Sequence, residues 1–234
     1  MFEIETFRLI HRVVVGVRPV ALAFSPDGAF AYVLNQDDST VSIIRTSDYA
    51  VAESVEVGLW PSAIVLSPDG QQAYVLSGGH GTIEVIRLSD RQIVERTDVG
   101  KDPEGLAITP DGKSILIWLR KSRNLRVFDT AQDKVVSEIT VSAFPQDVVV
   151  SSRGNLAYAL VLTPNGKKSL DVISTEERRV IETVPLGRGT LGTCSLESNR
   201  RRGKRNVLQS SWPRWCPGIV TATARSTPWI LSAS

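Results

Sequence analysis

The chain predicts an all-β fold of the propeller class, and three observations carry that expectation. Short segments rich in Val, Ile and aromatic residues, bounded by turn residues, fill most of the chain and read as strand rather than helix. The turn Ser25-Pro26-Asp27-Gly28 returns as Ser67-Pro68-Asp69-Gly70 and Thr109-Pro110-Asp111-Gly112, each 42 residues after the last. Four strand-like segments fit inside one such step, which is the arithmetic of a propeller blade.

Four columns fix the register: Gly16, Gly58, Gly100, Ser142; Pro19, Pro61, Pro103, Pro145; the turn pairs, ending in Arg153-Gly154; and Tyr32, Tyr74, Leu116, Tyr158. The fourth unit is three residues longer and closes at Gly187. Blades are therefore expected at 17–58, 59–100, 101–142 and 143–187, with residues 1–16 as the outer strand of an incomplete blade.

Within a unit the elements follow in order. The first segment, VALAF in unit one, is almost wholly apolar and is expected to be buried on both faces. In the turn that follows, Pro presets φ, Asp tolerates the bridge region and Gly accepts positive φ, which suits a type I turn closed by a left-handed residue. AFAYVL is the second strand, and TVSIIR and AVAESVEV follow as third and fourth with partial alternation. One twisted four-stranded sheet cannot bury both its faces alone, so neighbouring blades must cover it. A β-sandwich shares the strand lengths but does not demand four columns in step.

The residues after the Ser-Pro-Asp-Gly turn resemble the YVTN-type β-propeller repeat. Tyr32-Val33-Leu34-Asn35 keeps three of the four letters, Tyr74-Val75-Leu76-Ser77 two, Tyr158 only the first, and Leu116–Leu119 none. Ser39–Ser47 and Ser54–Gly70 look like the rest of that repeat. The resemblance covers about residues 7–187 and implies a propeller fold. It says little of function, because the repeat occurs in surface and periplasmic proteins of varied task.

The two ends depart from the period. Aligning Gly16 with Gly58 makes Phe7–Val15 an outer strand whose inner partners are not encoded before it. Glu3 and Glu5 stand where a signal peptide needs a basic end, so no export signal is expected in this chain and its compartment is left open. No run of about 18 apolar residues occurs, so no membrane span is expected. Residues 187–234 hold eight Lys/Arg against one acid, leaving 19 bases and 24 acids elsewhere, so +7 faces −5. Cys194, Cys216 and three of the five Trp lie there, and no repeat column continues. Three readings compete for 188–234: a basic extension whose Arg200–Arg205 run and Trp212 and Trp215 suit nucleic acid, a disordered end, or a shift of reading frame near Gly187. The frame shift accounts for most of these features at once. It makes a propeller fragment with a tail that is not propeller, and nucleic acid is then not the expected partner.

Propellers bind at the channel mouth, through the loops joining blade to blade and second strand to third. Here these are Val17-Arg18, Leu59-Trp60, Lys101-Asp102 and Ala143-Phe144, and the loops holding Asp37-Asp38, Gly78–Gly81, Arg120–Arg123 and Thr163–Gly166. Both sets vary while the frame stays constant, as recognition loops on a scaffold do. His80 has the chemistry of a metal or haem ligand, the role a His plays in the nitrite-reductase propellers this repeat resembles, but its flanking glycines make it first an exposed turn residue. His11 belongs to the edge strand. Asp37 and Asp38 suit calcium, or simply hairpin hydrogen bonding. Arg120, Lys121 and Arg123 make one loop basic. Trp60 and Phe144 either meet at the channel mouth or pack between blades, the second being expected.

No catalytic, zinc or phosphate-loop motif occurs, so no catalytic residue, metal or cofactor is assigned. The expected role is non-enzymatic binding of a protein or small ligand at the mouth. The alternatives are a lactonase-like or haem-bearing enzyme of the same architecture, and nucleic-acid binding by the tail. Four blades cut from a larger ring also expose two blade faces, so self-association is expected.

Overall fold

The computed structural model describes residues 9–186, and among them stand sixteen strands and no helix. The first sheet is β1 (Pro19–Phe24), β2 (Phe30–Asn35), β3 (Thr40–Arg45) and β4 (Val51–Glu56), and the second β5 (Pro61–Leu66), β6 (Gln72–Ser77), β7 (Thr82–Arg87) and β8 (Gln92–Asp98). The third is β9 (Pro103–Ile108), β10 (Ser114–Leu119), β11 (Asn124–Asp129) and β12 (Lys134–Thr140), and the fourth β13 (Phe144–Val150), β14 (Leu156–Leu162), β15 (Lys168–Ser174) and β16 (Arg179–Pro185). Each sheet is an antiparallel meander in chain order, one sheet to each repeat.

The repeated turn is built as its residues dictate. Gly28, Gly70, Gly112 and Gly154 have φ of 73°, 72°, 73° and 75°. The Gly28 amide donates to the Ser25 carbonyl at 2.8 Å, and the Ser25 hydroxyl donates to Asp27 Oδ1 at 2.6 Å. That hydroxyl holds the Asp27 carboxyl below the ordinary carboxylate value, aided by the Ala29 amide, and Ser67 and Thr109 act in the same way on Asp69 and Asp111. The turns also stack from blade to blade. A Cβ on Gly112 would lie 2.9 Å from Pro68 Cδ, and one on Gly154 3.3 Å from Pro110 Cδ.

The core lies between the sheets rather than inside any one of them. In β6, Ala73 and Val75 pack toward the first blade, while Tyr74 and Leu76 pack toward the third. In β10, Ile115 and Ile117 face the second blade, and Leu116 and Trp118 the fourth. Three such clusters join four blades in series. The inner strands follow the same series, β1 against β5, β5 against β9 and β9 against β13.

One expectation is corrected. In the first blade the first strand is not buried on both faces: Val20 is 36% and Phe24 40% exposed in β1, on the side that no preceding blade covers, whereas β5 and β9 have no exposed residue. The most enclosed strand is the second, as in β10, where Ile115 to Leu119 are all buried. Geometry explains the order. A second strand has a paired strand on each side and a blade over each face, whereas a first strand leaves one edge open toward the axis. Of the segment expected as an outer strand, residues 9–15 are described; they lie in no ladder, and Leu9 makes an isolated bridge. β3, β7, β11 and β15 are each paired with the fourth strand of their own sheet. The segment nevertheless keeps the place of an outer strand. His11 stacks on Tyr49 at a centroid distance of 4.9 Å, and one repeat later the same two positions are the ion pair Glu53–Arg91. Expectations for residues 1–8 and 187–234 lie outside the described residues. Among the described residues no helix is long and apolar enough to cross a membrane.

Candidate functional site: the rim of the inter-blade loops

Backbone hydrogen bonds bring the two predicted loop sets together. The Gln36 amide donates to the Arg18 carbonyl at 2.9 Å, those of Gly78 and Gly79 to the Trp60 and Leu59 carbonyls at 3.0 and 2.9 Å, and that of Arg120 to the Asp102 carbonyl at 2.7 Å. Arg18, Trp60 and Asp102 hold φ of 55°, 51° and 53°, a left-handed conformation that costs a residue bearing Cβ on the order of 1 kcal/mol. The scaffold imposes it at one place in three successive repeats, directly before the fixed Pro. Gly79 is required beside it, since a Cβ there would lie 2.8 Å from Leu59 Cβ.

The fourth blade differs. Its three extra residues lengthen β14 and β15 and close a separate loop, in which the Thr163 amide donates to the Lys167 carbonyl at 2.9 Å. Phe144 is thereby drawn into β13, opposite Leu162, and is half-buried. Trp60 was expected to pack between blades, but it stands 66% exposed on the rim, beside Leu59 at 53%. The left-handed backbone turns that position outward.

Most rim charges are paired at the surface. Arg18 lies 3.6 Å from Asp37, and Arg120 lies 3.1 Å from Glu104. Arg123 donates to the Ser142 carbonyl, and Asp38 Oδ2 accepts the Val17 amide at 2.6 Å. Exposed pairs of this kind contribute little energy, but they fix loop positions. His80 is exposed in its turn, and Lys121 occupies another left-handed position, at φ 64°. Among the described residues no three His, Cys, Asp or Glu side chains gather as metal ligands do.

Sequence reasoning missed the groups that hold the loops from below. Glu84 is 1% exposed, and its Oε2 accepts the Gly58 amide at 2.9 Å while Oε1 accepts Arg96 Nε at 3.1 Å. Asp171, fully buried, accepts the Ser142 amide at 2.6 Å, the Ser142 hydroxyl at 2.7 Å and the Thr183 hydroxyl at 2.8 Å. Each carboxylate caps the loop arriving from the preceding blade. A signal was present, because Ser42, Glu84, Arg126 and Asp171 form a polar column in the middle of otherwise apolar third strands.

A family model described as Lactonase, 7-bladed beta-propeller matches residues 21–151. Among solved structures, the hydrazine synthase of Kuenenia stuttgartiensis is 27% identical at a TM-score of 0.70, over 75% of this chain and 51% of that one. A functionally unknown protein from Desulfotomaculum acetoxidans is 20% identical at 0.68, over 78% and 61%. A β-propeller domain from Myceliophteria thermophila is 14% identical at 0.62, over 76% and 58%. The last two are similar in fold alone, and this chain spans 51% to 61% of the length of all three. No curated protein matches.

Proposed function

This chain belongs to the seven-bladed lactonase-type β-propeller family, and within that architecture we propose that its rim is a non-enzymatic recognition surface for the apolar or aromatic part of a protein or small ligand. The observation that carries the reading is Trp60. A large aromatic side chain stands 66% exposed in an inter-blade loop, on a backbone anchored through the Gly78 and Gly79 amides. An exposed aromatic on a fixed backbone loses little conformational entropy on binding, which makes it an effective anchor. Charged residues at 18, 37, 38, 102, 120, 121 and 123 fill the corresponding loops of the first and third blades.

The family description favours a second reading, hydrolysis of a lactone at the same mouth. One experiment separates the two. Saturation-transfer NMR of indole- and phenyl-bearing fragments and of γ- and δ-lactones is run on the chain and on Trp60→Ala, with lactone opening followed by pH-stat. The expected result is fragment binding that Trp60→Ala removes, with no lactone opening above the spontaneous rate. Binding that survives Trp60→Ala, or lactone turnover, overturns the proposal.

A further inference from the structure

Among the described residues every junction between blades joins the same two half-surfaces. The forward half is the face that Tyr74 and Leu76 share, and the rear half is the face of Ile115 and Ile117. A further copy of each half, on the fourth and first blades, meets no described blade. The fourth blade keeps a forward half, with Tyr158, Leu160, Leu170 and Val172 at the positions that meet the next blade elsewhere. The first blade keeps a rear half, with Leu22, Ala31, Val33 and Ile44 at the positions of Ile64, Ala73, Val75 and Ile86. Among the described residues no blade covers either face. Leu160 and Val33 are half-buried, whereas their counterparts Leu76 and Val75 are fully buried.

We propose that two copies of this chain associate head to tail, the forward half of the fourth blade in one copy docking on the rear half of the first blade in the other. A second copy fits both faces, because it presents the same residue columns, at the same spacing, that already pack three times within the chain. The contact is heterologous, so it closes a ring if the rotation allows and otherwise extends a chain. Asp147 is the carboxylate on the forward face, paired across the ladder with Leu160 and accepting the Val148 amide at 2.9 Å. Residues 9–15 stand where β16 of the incoming copy must lie. β16 carries a full ladder to β15, while that segment carries none, so the segment yields its place.

The full chain and two variants, Val33→Lys and Leu160→Lys, are measured by sedimentation equilibrium. The wild-type chain is expected at the mass of two copies or more. Each variant, impaired at a different half, is expected at the mass of one. Mixed in equal amounts, the two variants are expected to pair, since one intact forward half then meets one intact rear half, and that recovery also shows that both variants fold. A monomeric wild-type chain, association insensitive to either substitution, or a mixture that stays monomeric overturns the proposal.

Discussion

Glu84 and Asp171 occupy the same position of the repeat and differ by one methylene, and that difference sets what the preceding loop can carry. A Cβ on Gly58 would lie 2.7 Å from Glu84 Oε1 and 2.7 Å from Ser77 Cβ, so the loop there is glycine. Two blades along no glycine is needed, and the side chain of Ser142 donates to the shorter Asp171. Gly58→Ser is expected to cost about 1–3 kcal/mol in urea denaturation, with part of it recovered in Gly58→Ser/Glu84→Asp, the contact with Ser77 remaining. An equal loss in the double variant would contradict the pairing. At the alkaline end, burial pushes the Tyr74 phenol up from 10.0 to about 12. Its folded value lies above its unfolded one, so stability is intact below pH 10.0 and falls as pH rises toward 12. Tyr74→Phe is expected to flatten that loss. At the acid end the sign reverses. Asp27, Asp69 and Asp111 have folded values below 3.8, so their contribution is present above that pH and is lost as pH falls through the folded values. Asn at these three positions is expected to reduce the acid sensitivity of the melting temperature.

Within a blade, covariation between adjacent strands shows which packing solutions are interchangeable. Trp118 sits opposite Gly105 in the ladder, and a Cβ on Gly105 would lie 2.0 Å from the indole ring. The first two blades solve the same place with Leu34 opposite Ala21 and Leu76 opposite Ala63. Gly105→Ala is expected to destabilise by about 1–3 kcal/mol through overpacking, and Trp118→Leu by a similar amount through the cavity it leaves. The pair together is expected to lie near the wild type in denaturant midpoint, because it installs the combination of the second blade. Strand positions and turns were legible in the sequence because Pro, Asp and Gly act locally, each on its own φ and ψ. Burial of the first strand was not legible. PVALAF is as apolar as an enclosed strand, and nothing in its own residues says that no preceding blade covers its rear face.

Across the whole molecule, periodicity announced the blades, but not which loop residues meet. That Trp60 is presented to solvent follows from a left-handed backbone that no residue type advertises, since Arg18 and Asp102 share it. In each of the first three blades backbone hydrogen bonds join the two loops named from the repeat, those holding Asp37 and Asp38, His80, and Arg120, Lys121 and Arg123 each meeting the loop before the fixed Pro. The carboxylates beneath them were hidden because their partners are backbone amides of another repeat. The core lies between blades, so that protection depends on how many neighbours a blade has. Hydrogen–deuterium exchange, read strand by strand with Val33→Lys and Leu160→Lys each present to suppress association, tests that most directly. β6, β7, β10 and β11, covered on both faces, are expected to exchange more slowly than β2, β3, β14 and β15. Equal protection in all four blades, or slowest exchange in the first or fourth, would contradict it.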